Sequence, residues 1–169
     1  MRDWSLDAFV LARSAPPVDV TGPVSFTASA ALRSRPDVNT GVPLEIYGDQ
    51  YPGGKIFNRA AFTLLPPGQQ GNFARNVLRG FGAAQADLAL QRQFRVTARV
   101  ALRFRVECFN VFNQPNFGSP IFDLSNPLFG RSTQTLASSL GSGGANGGFS
   151  PLYQIGGPRS MQLVARLEF

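Results

Sequence analysis

The sequence predicts an all-β protein: antiparallel strands of a transmembrane β-barrel, about four long strands forming an open fragment, joined by long irregular loops. Three observations lead there. Residues 99–112, RVALRFRVECFNVF, alternate apolar and polar side chains at a period of two, over a run well beyond the five or six residues of an ordinary soluble strand. A tilted strand of about ten residues crosses a hydrocarbon layer. The composition also sets 18 Gly, 13 Pro and 15 Phe against one lysine, Lys55, and no histidine. Aromatics and turn formers with few helix formers favour strands and irregular connections. Nowhere is the chain continuously apolar for the roughly eighteen residues of a membrane helix, and alternating strands escape that criterion.

The first strand is expected at 4–13, WSLDAFVLAR, with Trp4, Leu6, Ala8 and Val10 on one side and Ser5, Asp7, Phe9 and Leu11 on the other. From 14 to 82 the breakers Pro16-Pro17, Gly22-Pro23, Pro52-Gly53-Gly54 and Pro66-Pro67-Gly68 dissolve the pattern into a long loop, with a local hairpin over Val24 to Leu32. Loops of that length are uncommon in compact soluble domains and ordinary on one side of a large barrel. Alternation returns at 84–94, where Ala86, Leu88, Leu90 and Phe94 oppose Asp87, Ala89, Gln91 and Gln93. Arg92 interrupts the apolar side near its end, where a long side chain can snorkel to headgroups.

The link Arg95 to Ala98 is short, so 84–94 and 99–112 form an antiparallel hairpin. In the second of these, Val100, Leu102, Phe104, Val106 and Cys108 share a face, and Arg99, Ala101, Arg103, Arg105 and Glu107 share the other. Apolar faces coincide only if even-numbered residues oppose even-numbered ones. The preferred register sets Asp87 against Arg105; the next sets it against Glu107. Residues 113–158 are again rich in breakers, with a short strand expected over Phe129 to Leu136 and a flexible loop over Gly141 to Gly148, which has no Asp and does not recur as calcium-binding glycine repeats do. The last strand, 159–169, places Met161, Leu163, Ala165, Leu167 and Phe169 on one side, and Ser160, Gln162, Val164, Arg166 and Glu168 on the other.

The net charge of +6 comes from arginines scattered along the chain without a dense run, so nucleic acid is not an expected partner. Cys108 is alone, which excludes an internal disulfide and a cysteine-based metal site. Without histidine no His-based triad exists, and GDQYPGGKI lacks the first Gly and the Ser or Thr of a phosphate loop. Asp7, Asp87, Glu107 and Glu168 sit at regular strand positions among Arg and Gln, the pattern of a polar lumen ladder rather than of catalytic carboxylates. The expectation is a protein that is not an enzyme and needs no cofactor or metal. Asp87, Gln91, Arg103, Arg105, Glu107, Arg166 and Glu168 are expected to face a lumen; Leu88, Leu90, Val100, Leu102, Phe104, Val106 and Cys108 are expected to face lipid.

Four blocks resemble one family, the TonB-dependent outer-membrane receptors, in particular their Oar-like barrels: WSLDAFVLARSAPPVDV, FNRAAFTLLPPGQQGNFARNVLRGFGAAQADLALQRQF, RVECFNVFNQPNFGSP, and GGPRSMQLVARLEF with its terminal Phe. The FNVFN block is similar to the segment before the last extracellular loop of these receptors, and PRSMQLVARLEF resembles their closing strand. The resemblance implies a Gram-negative outer-membrane location and a barrel of twenty-two strands around an N-terminal plug. It also implies that Met161, Leu163, Ala165, Leu167 and Phe169 form the signal read by the barrel-assembly machinery. Its implied partners are outer-membrane lipid, the rest of the barrel and plug, TonB through the plug, and a transported substrate. Four strands cannot close a barrel, and the N-terminal residues MRDWSLDAFV lack the apolar core of a signal peptide, so the chain is expected to be the C-terminal part of a longer protein. With Phe169 in the periplasm, the short link falls on the periplasmic side and both long loops outside. Two other readings stand beside this one: a soluble all-β adhesion or carbohydrate-binding module, whose apolar strand faces would pack a sandwich core, and a non-transporting barrel that anchors surface loops.

Overall fold

The computed structural model describes residues 3–26, 31–66, 68–140 and 155–169; the Gly141 to Gly148 segment lies outside them. The chain divides into two compact units, one of Met1–Arg13, Ala83–Asn116 and Leu136–Phe169, the other of Ser14–Gly82 and Phe117–Thr135.

The first unit is a four-stranded antiparallel sheet. Its strands are Trp4–Arg13, Ala83–Arg95, Ala101–Phe109 and Ser160–Glu168, and they lie in the sheet in chain order. Register keeps apolar residues on one face across all four. Leu6 opposes Leu90, Leu90 opposes Val106, and Val106 opposes Leu163. One row nearer the loops run Ala8, Leu88, Cys108 and Met161. The long connections both leave from the end where Arg13 meets Ala83 and Phe109 meets Ser160, and the short turn closes the opposite end.

Pairing parity in the hairpin is even against even, but the register is offset from the preferred one. Arg105 opposes Gln91, not Asp87, and Glu107 opposes Ala89. The turn is responsible. It spans Val96 to Val100, with the Val96 N–H donating to the Val100 carbonyl at 2.9 Å. The Thr97 hydroxyl oxygen accepts from Val100 N at 3.0 Å and Arg99 N at 3.3 Å, a side-chain turn that moves the reversal past the Arg95 to Ala98 link.

The third strand ends at Phe109, short of 112, because Asn110 and Asn113 both adopt φ of 50°. Asparagine tolerates that left-handed region, and the side chain of Asn110 then ties three segments together. Its amide donates to the carbonyls of Gln114 at 2.9 Å and Gly157 at 2.8 Å, its side-chain oxygen accepts from Gln114 N at 3.0 Å, and its own N–H donates to Asp87 Oδ1 at 2.7 Å. Asn116 does similar work at the start of the second strand, bonding Ala84 through both N–H and carbonyl. Both asparagines are buried, and every bond they make replaces one lost to water.

In the second unit the long 14–82 connection carries more local pairing than the one expected hairpin. Short antiparallel pairs recur within it: Pro17–Val18 with Leu78–Arg79, Val24–Phe26 with Ala31–Arg33, Asp37–Val38 with Phe62–Thr63, and Glu45–Tyr47 with Lys55–Phe57. The second of these is the hairpin expected over Val24 to Leu32. No strand forms over Phe129 to Leu136. The chain turns there through Asn126 and Gly130, the latter at φ of 81° with the Phe57 backbone where a Cβ would stand, and Leu136–Ser139 is a single helical turn. What organises the unit is a core of Val18, Val20, Phe57, Phe62, Phe73, Leu78, Leu124 and Phe129. Phe62 stands at its centre, edge-on to Phe73 at 5.1 Å and to Phe129 at 5.8 Å.

Replacing a buried aromatic of this kind with alanine costs about 3–5 kcal/mol. Phe62→Ala is therefore expected to abolish hydrogen-exchange protection over 55–63 and 117–135 while leaving protection at 84–94 intact. Uniform loss in both regions would contradict a loop-side unit with its own core.

Candidate functional site

The sheet is inverted relative to a soluble one. Along the second strand, Gln85, Asp87 and Ala89 are buried while their neighbours Ala84, Leu88 and Leu90 are exposed. On the outer face Leu6 is 70% exposed, Val10 74% and Leu163 78%. The inner layer of a sandwich would bury these residues; here nothing among the described residues does. Polar side chains take the covered side because they satisfy one another there.

The polar face is a ladder of ion pairs and amides. Arg105 donates from Nη1 to Asp7 Oδ2 and from Nε to Glu107 Oε1, both at 2.7 Å. Asp7 and Glu107 belong to the first and third strands, with Ala89 of the second strand between them in the same row. A methyl group at that position leaves room for the guanidinium to span the second strand. Nearer the short turn, Arg103 and Arg166 lie directly opposite each other, an arrangement that like charge disfavours. Glu168 relieves it, taking Arg103 Nη1 at 3.2 Å and Arg166 Nε at 3.6 Å. At the other end the Gln85 amide donates to both oxygens of Asp87, at 2.9 and 3.1 Å, and accepts from Gly156 N at 2.6 Å. A cleft of about 190 Å³ opens over this face between Asp7, Phe9, Asp87, Ala89, Arg105 and Glu107.

All the residues expected to face a lumen fall on this polar side by register: Asp87, Gln91, Arg103, Arg105, Glu107, Arg166 and Glu168. Leu88, Leu90, Leu102, Phe104, Val106 and Cys108 fall on the apolar side, and Val100 closes the short turn. Met161, Leu163, Ala165 and Leu167 share that apolar side, and Phe169 follows the last strand, 97% exposed. Sequence reasoning missed Ala89, Gln85, Asn110 and Asn116. Asn110 had a signal in FNVFNQ, where a strand pattern stops on Asn110 and Asn113, a turn composition, and Asn116 follows in the breaker-rich QPN. Ala89 had none, since a small residue on a polar face acquires meaning only from its cross-strand neighbours.

A second cleft, about 440 Å³, lies in the loop-side unit against Pro43, Leu44, Tyr47, Val77 and Arg79. Beside it Lys55 Nζ donates to Glu45 Oε1 at 2.8 Å and to the Arg79 carbonyl at 2.7 Å. Glu45 also accepts the Tyr47 hydroxyl, and this bond, with the carboxylate's charge, pushes the phenol above its ordinary ionisation range. Among the described residues no group of ligating side chains is placed to hold a metal ion. Nor is any described helix long and apolar enough to cross a membrane, which says nothing of strands.

Long antiparallel strands, an apolar face left open, a charged face whose ions pair with one another, and all long connections at one end define the wall of a transmembrane β-barrel. The chain belongs to the outer membrane beta barrel domain family, which it matches over residues 1–162. Its place is the outer membrane. No curated protein and no solved structure matches it.

Adjacent positions on opposite faces give a test. An arginine facing lipid costs about 2–4 kcal/mol at mid-membrane and much less facing a lumen. Leu163→Arg is expected to lower the urea midpoint of the lipid-assembled chain by an amount corresponding to that cost, and Gln162→Arg, set opposite Glu107 on the polar face, to leave it nearly unchanged. Equal effects at the two positions would remove the distinction between the faces.

Proposed function

We propose that this chain is a C-terminal wall segment of a TonB-dependent outer-membrane receptor of the Oar-like group. Its strands contribute to a larger barrel, and its loop-side unit meets the substrate outside the cell. The observation that carries the reading is the polar ladder from Asp7 through Arg105 to Glu168, a charged surface of the kind that lines a lumen wide enough for a plug and a passing solute. Support comes also from the four resembling blocks and from the two sheet edges. Neither Trp4–Arg13 nor Ser160–Glu168 contains the proline or lysine with which proteins blunt an exposed edge, so both are suited to pairing with further strands. In this reading the short turn at Val96 to Val100 faces the periplasm, where TonB engages the plug. The alternation ending at Phe169 serves the barrel-assembly machinery. The chain's role is positional and electrostatic rather than catalytic, with no cofactor and no nucleic acid involved.

A photo-crosslinking residue tests this in the native outer membrane, in the full-length protein. Placed at Gln91, Arg105 or Glu168, it is expected to capture peptides of a plug domain; placed at Leu90, it should capture lipid. Failure of all three polar-face positions to yield plug peptides would contradict the receptor reading and leave the barrel wall standing.

A further inference from the structure

The apolar face carries one charged residue among its described positions, Arg92. At mid-membrane an arginine there is costly, and near an interface it costs little, so its surroundings indicate where the membrane boundary runs. Trp4 is its cross-strand partner on one side and Phe104 on the other. The guanidinium carbon lies 4.8 Å from the Trp4 ring centre and 4.4 Å from that of Phe94, and Phe94 in turn meets Phe104 edge-on at 6.0 Å. Among the described residues no carboxylate pairs with Arg92, whereas Arg103, Arg105 and Arg166 all have one. Arg95 and Arg99, exposed beside the short turn, are likewise without an ion pair there. The three arginines thus gather at the short-turn end of the sheet, none of them in an ion pair among the described residues, with Glu168, which Arg103 and Arg166 already share, beside Arg95 and Arg99.

We propose that the Trp4, Arg92 and Phe94 stack is a binding site for the phosphate of a phospholipid headgroup, and that it sets the depth of this wall in the membrane. Ring stacking engages the faces of a guanidinium and leaves its N–H edge free to donate, the geometry that suits a phosphate bidentately. The aromatic rings occupy the boundary zone where an apolar body and a polar tip are both accommodated. Arg95 and Arg99 lie further toward the headgroup layer and add attraction to anionic lipid. The proposal rests on the apolar face meeting lipid and adds a specific ligand, a residue and a depth.

Trp4 is the single tryptophan of the chain, so its fluorescence reports the site without labelling. The full chain is assembled in phosphatidylcholine vesicles carrying bromines at successive depths, with and without phosphatidylglycerol. Shallow bromines are expected to quench the native chain most strongly. In Arg92→Leu, deeper bromines should become the stronger quenchers, because no charge holds the stack at the surface. Arg92→Lys should keep the shallow profile, since lysine also reaches the phosphates. Replacing Arg92, Arg95 and Arg99 together by Gln is expected to reduce the preference for phosphatidylglycerol vesicles by roughly fivefold per arginine. An unchanged depth profile in membrane-bound Arg92→Leu would overturn the proposal alone. Quenching by no brominated lipid would overturn both it and the lipid-facing wall. Displacement by inorganic phosphate at the concentration of the lipid phosphate would make the site one for free anions, and overturn it as well.

Discussion

Everything in the sheet depends on cross-strand parity. Because side chains alternate, a slip of one residue between the second and third strands would move Arg103 and Arg105 into the apolar layer and Leu102 and Phe104 out of it. With each misplaced arginine costing about 2–4 kcal/mol at mid-membrane, such a slip is strongly disfavoured. Two devices hold the register from opposite ends. Thr97 shapes the tight turn. At the loop end the carboxylate of Asp87 receives the Asn110 N–H, and the Asn110 side chain binds the approach to the last strand.

The same constraint explains why the charged groups of the polar face pair with one another. A strand residue cannot turn away from its face, so Arg105 must find its partners within the sheet or in the water beyond it. It reaches Asp7 across the small Ala89, and Glu107 two residues along its own strand. Pairs that remain partly open to water each stabilise by about 0–1 kcal/mol, so the ladder's value lies less in stability than in presenting a fixed charge pattern to whatever occupies the interior.

Much of this was legible from the sequence, and the reason is periodicity. Alternation from Val100 to Cys108, and again from Met161 to Phe169, is a direct imprint of the two faces, and it located the strands and their parity. The register itself was not legible, because it hangs on the Thr97 hydroxyl and on Asn110 in a left-handed conformation, which break no hydrophobic pattern. Least legible was the loop-side unit. Phe57, Phe62, Phe73 and Phe129 are far apart in the chain and obey no period, so a core assembled from them looks, in the sequence, like irregular loop. The glycines and prolines that break the pattern there provide the turns: Gly130 admits the backbone of Phe57 where any side chain would collide.

The central claim is that the two faces of one strand meet different solvents. Spin labels introduced one at a time from Ala101 to Phe109, in a Cys108→Ser background for all other positions, measure it directly in the lipid-assembled chain. Collision with oxygen is predicted to peak at 102, 104, 106 and 108, and collision with a water-soluble nickel complex at 101, 103, 105 and 107. A profile without that period, or one with the two relaxants exchanged, would contradict a wall between lipid and lumen.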